Sequence, residues 1–234
     1  LKIKDKAYLF RPFIYRGIIM FGKRIEKLAS LIKDSKKIAD IGTDHGYLVI
    51  EALLEGKTLK AQAIDNKKMP LLRAKENIAN FGLEEKVSFS LSNGLDDLEK
   101  DVDYIIMSGL GGSLIISLLE ENLNKINKQT LILQANRNCA ELRSFLSENS
   151  FKIEYEEVIF DDKYYEIIVT KKIDEKIKLT DKEVLFGPYN LKHPNNVFYN
   201  YLEDEYARYE KIKYPSKQVI HKKSLIKEIL TKRK

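Results

Sequence analysis

The sequence predicts an α/β protein in which a parallel sheet ends in an antiparallel hairpin and a helical region follows. Apolar strand patterns alternate with helical patterns through residues 23–148. Two further strand patterns, within residues 151–171, are separated by a short polar turn, and from residue 173 onward the periodicity is helical. Because repeated strand–helix units imply a parallel sheet with right-handed crossovers, these observations define the fold class.

The predicted elements alternate in chain order after a lead-in helix at Lys23–Ile32. The predicted strands are Lys36–Ile41, Lys60–Ile64, Lys86–Leu91, Val102–Met107, Thr130–Gln134, Phe151–Ile159 and Lys163–Lys171. The predicted helices between them are Tyr47–Glu55, Met69–Phe81, Ser113–Leu123 and Cys139–Glu148. A parallel series that closes in an antiparallel hairpin is typical of class I methyltransferases.

The C-terminal region carries two helical patterns, Asn196–Lys213 and Gln218–Lys232, which are separated by Pro215. Each has an apolar stripe, so we expect a helical hairpin of coiled-coil type. The predicted domains are therefore residues 20–172, an α/β domain, and residues 173–234, a helical hairpin domain.

Composition excludes several classes of protein. No apolar run approaches the ~20 residues of a membrane-spanning helix, so no membrane association is expected. The single cysteine, Cys139, excludes a disulfide within this sequence and fits a cytoplasmic protein. The histidines and this cysteine form no zinc pattern, so no metal is predicted, and nothing indicates a stable protein partner. Residues 1–19 lack a signal-peptide pattern, and we expect a non-native or flexible leader with Met20 as the natural first residue.

The net charge of +6 is unevenly distributed. Residues 23–170 are mildly acidic, whereas residues 171–234 carry 16 basic and 9 acidic side chains. A basic extension on an acidic domain favours a polyanionic partner. A lysine-rich proteome would produce the same bias, and composition does not separate the two explanations.

The segment from Lys37 to Leu48 is the most informative motif. A buried strand leads into a tight turn at Gly42, and a helix begins near Gly46. A dinucleotide-binding turn would have Gly-x-Gly-x-x-Gly, and Asp44 would repel a phosphate. An acidic single-glycine turn suits S-adenosylmethionine, which has a cationic centre and an amino acid end. The residues assigned to cofactor binding here are Asp40, Gly42, Thr43 and His45.

Two further positions are predicted to bind the cofactor's nucleoside. Asp65 ends the second predicted strand, where a carboxylate can accept both ribose hydroxyls. Its alternative role is to cap the following helix, and the ribose role is favoured. Asn93 and Gly94 follow the third strand, where an adenine ring would be held, although an Asn-Gly turn is also a common local structure.

The segment after the fourth strand is glycine-rich. Ser108 and Gly109 are predicted to bind the cofactor, and Gly111 and Gly112 are predicted to lie against the substrate, in preference to simple loop flexibility. The segment lacks the Asn/Asp-Pro-Pro-aromatic motif of exocyclic-amine methylation. No lysine-centred tetrad is found, and Cys139 is expected to be a buried residue rather than a nucleophile. The remaining target is an atom that is already nucleophilic, such as a ring nitrogen.

The chain resembles the TrmK family, and the resemblance covers about residues 22–215. The motifs that carry it are Ala39–Leu48, Ser92–Leu95, Met107–Gly112, Leu131–Asn136, Tyr165–Val169, Phe186–Pro188 and Asn195–Phe198. The resemblance implies a bacterial methyltransferase that acts on N1 of adenine 22 in tRNA, with a Rossmann-like class I domain and a C-terminal coiled-coil domain. This chain has Asn93 where the family usually has Asp, and Ala135 where it usually has Pro.

Asp44 is the candidate catalytic residue, because a carboxylate can stabilise the cationic ring that N1 methylation produces. Its alternative roles are to orient the cofactor or to cap a helix. Residues predicted to contact tRNA are Arg24, Gly111, Gly112, Asn136, Lys213, Lys217, Lys222 and Lys223. Two other functions stay open here, namely a tRNA-binding protein with a degenerate methyltransferase fold and a small-molecule methyltransferase.

Overall fold

The computed structural model describes residues 21–233 and, for the backbone, residues 13–15 and 18–20. The strands are β1 Phe13–Tyr15, β2 Ile18–Met20, β3 Ser35–Ile41, β4 Thr58–Asp65, β5 Val87–Leu91, β6 Tyr104–Leu110, β7 Thr130–Ala135, β8 Phe151–Phe160 and β9 Tyr164–Lys172. The helices are α1 Lys23–Ser30, α2 Tyr47–Leu54, α3 Lys68–Asn80, α4 Gly112–Glu120, α5 Cys139–Glu148, α6 Asp181–Phe186, α7 Pro188–Lys192, α8 Asn196–Glu210 and α9 Lys217–Thr231. The fold class predicted from the sequence is confirmed.

Seven strands form one mixed sheet in the order β5-β4-β3-β6-β7-β9-β8. Strand β3 pairs in parallel with β4 and β6, β4 pairs in parallel with β5, and β8 pairs antiparallel with β9. The chain runs outward from β3 to β5 and then returns to β6 on the other side of β3. This reversal is a topological switch point, where ligands bind in α/β sheets.

Strand β3 lies at the centre of the fold because both of its faces are apolar. Ile38 and Ala39 are completely buried, and Ile41 is nearly so. Such a continuous apolar run is typical of a parallel strand covered on both sides. The following helix, α2, buries Val49, Ile50 and other apolar residues, so the segment between them is held at both ends.

The chain divides into two compact units. The first unit extends to Ser108 and includes Leu118–Ile132, whereas the second unit consists of Gly109–Ser117 and Leu133–Lys234. This division passes through β6 and β7 and does not fall at residue 172. Because compactness does not measure independent folding, the predicted domains 20–172 and 173–234 stay a prediction.

The second unit has its own apolar core, which joins the β8–β9 hairpin to the C-terminal helices. Its buried members are Val158, Phe186, Phe198, Leu202 and Ile226. Val158 lies on β8, Phe186 ends α6, and the remaining three lie on α8 and α9. These contacts explain why the helical hairpin packs as part of a larger unit.

The helical hairpin is shorter than predicted at its connection. Helix α8 ends at Glu210 rather than Lys213, so the connection to α9 begins before Pro215 restricts the backbone at Tyr214. The hydroxyl of Ser216 accepts a hydrogen bond from the Val219 N–H and caps α9. The coiled-coil detail stays a prediction.

Sequence patterning missed the two short helices α6 and α7. A signal for α6 was present, because Thr180 and Glu183 form a capping box. Gly187, at φ 88°, then ends α6 and permits the sharp turn into Pro188, the first residue of α7.

Strand β6 extends to Leu110 and does not end at Met107 as predicted. The Asn136 N–H donates to the Leu110 carbonyl at 2.8 Å, which continues the strand pairing. Part of the predicted glycine loop is therefore strand, and the turn into α4 begins later.

Most of the predicted leader, residues 1–19, lies outside the described residues. Within it, the backbone of β1 pairs antiparallel with β2, with Phe13 opposite Met20. Among the described residues, no helix is long and apolar enough to cross a membrane.

A buried ion cluster in the second unit connects α5 to the β8–β9 hairpin. The fully buried Arg143 donates from Nε to Glu156 Oε1 at 2.6 Å and from Nη2 to Glu166 Oε2 at 2.5 Å. Glu156 also accepts the Tyr189 N–H at 3.1 Å, so it reaches α7. A Cβ at Gly187 would approach Glu156 Oε2 to 2.3 Å, so a larger residue cannot occupy that position without displacing the carboxylate.

We expect Arg143→Leu to lower the free energy of unfolding by about 3–5 kcal/mol, because the substitution leaves a buried carboxylate without its partner. Arg233→Leu is the matched control, since Arg233 pairs with Glu203 at a partly exposed site and should contribute about 1 kcal/mol or less. Urea unfolding of both variants measures the difference. Equal losses would show that the buried cluster contributes no more than a surface pair.

Candidate active site

The turn after β3 is tied to β4 through its backbone. The N–H groups of Gly42 and Thr43 both donate to the Ile64 carbonyl, at 2.8 and 3.1 Å. Gly42 has φ 75° and Gly46 has φ 70°, a region that glycine enters without steric cost. The turn therefore stands at the carboxyl end of the sheet beside Asp65, as predicted.

Glycine is required at position 46 for packing as well as for conformation. A Cβ there would lie 3.1 Å from Ile78 Cδ1 and 3.3 Å from Ala74 Cβ, both on α3. A side chain at position 46 would therefore require α3 side chains to shift by a few tenths of an ångström, in addition to the strain of the positive φ.

Asp65 orders the backbone on both sides of the cofactor turn. Its Oδ1 accepts the Lys67 N–H at 2.8 Å, just before α3, and its Oδ2 faces the Asp44 N–H at 3.4 Å. This arrangement orders the loop, as a cap would. Each carboxylate oxygen can accept more than one hydrogen bond, so ribose hydroxyls can still bind there. The ribose role stays a prediction.

Asn93 is placed next to this carboxylate by the β4–β5 pairing, because the Ser92 N–H donates to the Asp65 carbonyl at 3.0 Å. The Asn93 side chain is exposed and is available for the predicted contact with adenine. Gly94 has an additional packing role that the sequence did not indicate. A Cβ at Gly94 would lie 2.5 Å from Leu118 Cδ2.

Asp40 is a buried carboxylate beneath the turn. Burial raises the pKa of Asp40 to about 6, while Thr43 and Arg24 lower it and Asp65 and Asp44 raise it further.

Arg24 is half-buried and donates from Nη1 to Ser108 Oγ at 3.4 Å. Arg24 is therefore not a solvated surface charge, and its predicted tRNA contact stays untested.

Asp44 presents an accessible carboxylate. Its side chain is 57% exposed, and its backbone has φ 46°, an uncommon conformation that aspartate adopts more readily than most residues. His45 Nε2 lies 3.5 Å from Asp44 Oδ2, and Arg73 Nη1 lies 3.9 Å from Asp44 Oδ1. The His45 ring stacks on Tyr47 at 5.3 Å, which fixes its orientation. Arg73 was missed because its position on α3 carries no motif.

The predicted glycine-rich segment is ordered by a closed set of hydrogen bonds in the second unit. Gln134 Oε1 accepts the Gly109 N–H at 3.0 Å, and Gln134 Nε2 donates to Asn136 Oδ1 at 3.1 Å. Asn136 Nδ2 donates to the Gly109 carbonyl at 2.7 Å. These contacts hold Gly109 in place, so Asn136 already has a structural role beside its predicted contact with tRNA.

Gly112 permits close approach of the chain to itself, whereas a side chain at Gly111 would meet only ordinary contacts. A Cβ at Gly112 would lie 2.6 Å from the Asn138 carbonyl oxygen, and a Cβ at Gly111 would lie 3.5 Å from Arg137 Nε. Arg137 was not predicted from the sequence. The contact of Gly111 and Gly112 with tRNA stays a prediction.

The four predicted tRNA-binding lysines differ in their surroundings. Lys213 and Lys217 are exposed. Lys222 lies 3.6 Å from Glu205, and Lys223 pairs with Glu210 at 2.8 Å. All four assignments stay predictions, but the second pair is partly neutralised within the hairpin.

No group of three or more histidine, cysteine, aspartate or glutamate side chains in the described part of the chain could hold a metal ion. Cys139 is half-buried, and burial is the main cause that raises the pKa of its thiol. A thiol held in its neutral form is a poor nucleophile.

The switch-point sheet, the acidic turn at Gly42 and the strand-ending Asp65 together define a class I methyltransferase. A family model, TrmK, described as tRNA (adenine(22)-N(1))-methyltransferase, matches residues 38–234. The chain belongs to this family, and the family and enzyme class predicted from the sequence are confirmed.

Curated relatives agree with this assignment. The chain is 32% identical over 188 residues to the tRNA (adenine(22)-N(1))-methyltransferase of Bacillus subtilis, covering 77% of this chain and 79% of the relative. It is 33% identical over 172 residues to a putative tRNA methyltransferase of Mycoplasma genitalium, covering 71% and 77%.

Solved structures show the same similarity. A putative tRNA (m1A22) methyltransferase of Streptococcus pneumoniae, in complex with S-adenosyl-L-methionine, is 34% identical with a TM-score of 0.84, covering 90% of this chain and all of that one. M. capricolum TrmK in complex with S-adenosyl-homocysteine is 32% identical with a TM-score of 0.74, covering 89% and 96%. These complexes confirm the cofactor predicted for the family.

We expect Asp65→Asn to weaken S-adenosylmethionine binding by about 1–3 kcal/mol, because the charged acceptor for the ribose hydroxyls is lost while an oxygen remains for the Lys67 N–H. Titration calorimetry measures the dissociation constant. Asp101→Asn, at an exposed carboxylate that pairs with Lys37, should leave it unchanged. Unchanged affinity in Asp65→Asn would assign the carboxylate to loop capping.

The raised pKa of Asp40 predicts a pH-dependent stability. The folded state holds this proton up to about pH 6, whereas an unfolded aspartate loses it near the ordinary value of 3.8, so stability falls as pH rises between these values. Asp40→Asn has no such proton to lose. Between pH 4 and pH 7 its free energy of unfolding should therefore rise by about 3 kcal/mol relative to that of the wild-type protein. Urea unfolding of the cofactor-free protein across this range measures it, and parallel pH profiles would contradict it.

Proposed function

We propose that this protein methylates N1 of adenine 22 in tRNA with S-adenosylmethionine as the methyl donor. The observation that carries the proposal is the accessible carboxylate of Asp44 at the acidic turn of a TrmK-family chain, where the Asp44 N–H faces Asp65. A catalytically inactive tRNA-binding protein, suggested by Asn93 and Ala135, is disfavoured because Asn93 keeps an exposed amide in the position proposed for the adenine contact.

The residues around the turn fit the proposed cofactor. Asp65 would accept the ribose hydroxyls, Asn93 would contact the adenine, and Asp40 with Thr43 would face the amino acid end. The positive φ of Gly42 lets the backbone come close to the cofactor without a side chain between them. When bound, the cofactor supplies an electrophilic methyl group.

The target atom determines what the protein has to provide. Adenine N1 carries an in-plane lone pair, so no general base is needed before attack. The product ring is cationic, and its amino group becomes more acidic. Asp44 can stabilise this charge and accept the proton. His45, stacked on Tyr47 and close to Asp44, positions that carboxylate.

The substrate must be presented with its base unpaired, because N1 lies on the Watson–Crick edge and is covered in a duplex. Basic side chains of the C-terminal hairpin, Lys213 and Lys217 among them, would contact phosphates and position the folded tRNA. The proposal includes a cytoplasmic location, which the free thiol of Cys139 supports.

We expect Asp44→Asn to slow methyl transfer by about 100-fold or more while tRNA binding is retained, as for a group that stabilises charge or accepts a proton. Single-turnover transfer to an unmodified tRNA transcript at saturating cofactor measures the rate, and mass spectrometry identifies the modified base.

Asp34→Asn is the matched control, because Asp34 is another exposed aspartate with positive φ, at 43°. It should leave the rate unchanged. A rate close to wild type in Asp44→Asn would remove Asp44 from the catalytic assignment, whereas absence of any methyl transfer by the wild-type protein would contradict the proposed function itself.

A further inference from the structure

The end of the C-terminal hairpin contains a groove that the proposed methyl-transfer chemistry does not use. The groove has a volume of about 340 Å³ and lies between α8 and α9. Tyr206 and Tyr209 line it on α8, Pro215 lies in the connection, and Val219 and Ile220 line it on α9. We call it the hairpin groove. Its size falls within the range of small-ligand sites.

Large apolar side chains are unusually exposed at this end of the hairpin. Tyr214 is 84% exposed, Ile220 is 55% exposed and Ile212 is 40% exposed. The Lys213 ammonium lies 5.4 Å from the centroid of the Tyr214 ring, so charge and aromatic surface are next to each other. A cluster of exposed apolar side chains of this kind marks an interaction site.

The charge in and around the hairpin groove favours an anionic partner. The lining holds two lysines, Lys223 and Lys227, and one carboxylate, Glu210, which pairs with Lys223. From Lys211 to Lys227 the sequence has six lysines and no aspartate or glutamate. Two of these lysines, Lys222 and Lys223, pair with glutamates of α8. The other four, which are Lys211, Lys213, Lys217 and Lys227, have no ion pair among the residues that the structure describes. A second copy of this surface would be repelled, because like charges would meet.

We propose that the hairpin groove binds one unpaired nucleotide of the RNA substrate, with its base against the aromatic and apolar surface and its phosphate at the lysines. The inference rests on the proposed function for the identity of the polyanion. Base stacking on a tyrosine needs an exposed π face, which an unpaired nucleotide has and a base inside a duplex lacks. The groove would therefore distinguish an unpaired nucleotide from a paired one, whereas the lysines alone would bind the phosphates of both.

The test compares two RNA stem-loops that differ by one unpaired nucleotide. One stem carries a single bulged 2-aminopurine, and the other is fully paired. The full-length protein should quench 2-aminopurine fluorescence and bind the bulged stem at least about five-fold more tightly than the paired stem. Tyr214→Ala, which removes the exposed ring next to the groove-lining residue Pro215, should abolish this preference and leave the salt dependence unchanged.

Two further variants separate stacking from charge. Lys217→Gln should weaken binding of both stems equally and reduce the slope of log affinity against log salt by about one. Phe160→Ala removes an exposed aromatic ring outside the groove and should change neither quantity. Far-ultraviolet circular dichroism of each variant confirms that the hairpin is folded.

Equal affinity of the wild-type protein for both stems, or a preference that survives in Tyr214→Ala, would overturn the proposal. A dimer in sedimentation equilibrium that Tyr214→Ala dissociates would do the same, since the occupant would then be a second copy. Failure of the proposed function would give a different result. The protein would then transfer no methyl group to tRNA but would still quench 2-aminopurine fluorescence in the bulged stem.

Discussion

The candidate site depends on the parallel register of β3, β4 and β5. In this register Ile41 lies opposite Ile64, and Asp65 lies opposite Leu91. The three strands therefore end at the same level, and the segments that follow them emerge side by side. Gly42, Asp65 and Asn93 are distant in sequence but come together because each follows one of these strand ends. A shift by one residue would turn each side chain to the opposite face of the sheet.

Backbone hydrogen bonds connect the ends of these strands directly. The turn after β3 donates two N–H groups to one carbonyl of β4, and the segment after β5 donates another to Asp65. The Asp65 carboxylate then connects the turn at Asp44 to the segment at Lys67 that leads into α3. The residues predicted to face the cofactor are thus oriented before any ligand binds, which lowers the entropic cost of binding.

In the second unit, a buried ion cluster connects the secondary-structure elements. Arg143 joins α5 to β8 and β9, and Glu156 extends the connection to α7. Burial raises the pKa of Glu156, whereas Arg143 is the main group that lowers it. Both carboxylates approach different nitrogens of one guanidinium, so a fork-shaped donor is required and lysine could not replace it. The groove at the end of the hairpin is built on this same unit.

Much of the site could be predicted from the sequence because it lies at strand ends. Apolar runs such as the one through Ile38 and Ile41 identify strands, and polar or glycine residues that follow them must meet at one edge of a parallel sheet. The roles of Arg73 and Gln134 were not predicted. Arg73 contacts Asp44 and Gln134 contacts Gly109, and both contacts depend on packing between segments far apart in the chain. Helices α6 and α7 were not predicted because each is too short to show a helical periodicity of apolar residues.

The sequence by itself determined the fold class, the family and the strand-end residues, since these follow from local periodicity and from motifs in a characteristic order. Tertiary structure decided which glycines serve packing. Gly94 faces Leu118 and Gly187 faces Glu156, contacts that no local pattern encodes. It also decided that Lys222 and Lys223 meet glutamates while Lys213 and Lys217 stay exposed. The reason is physical, because a side chain's partners are set by the three-dimensional path of the chain, whereas its residue type specifies only what those partners can be.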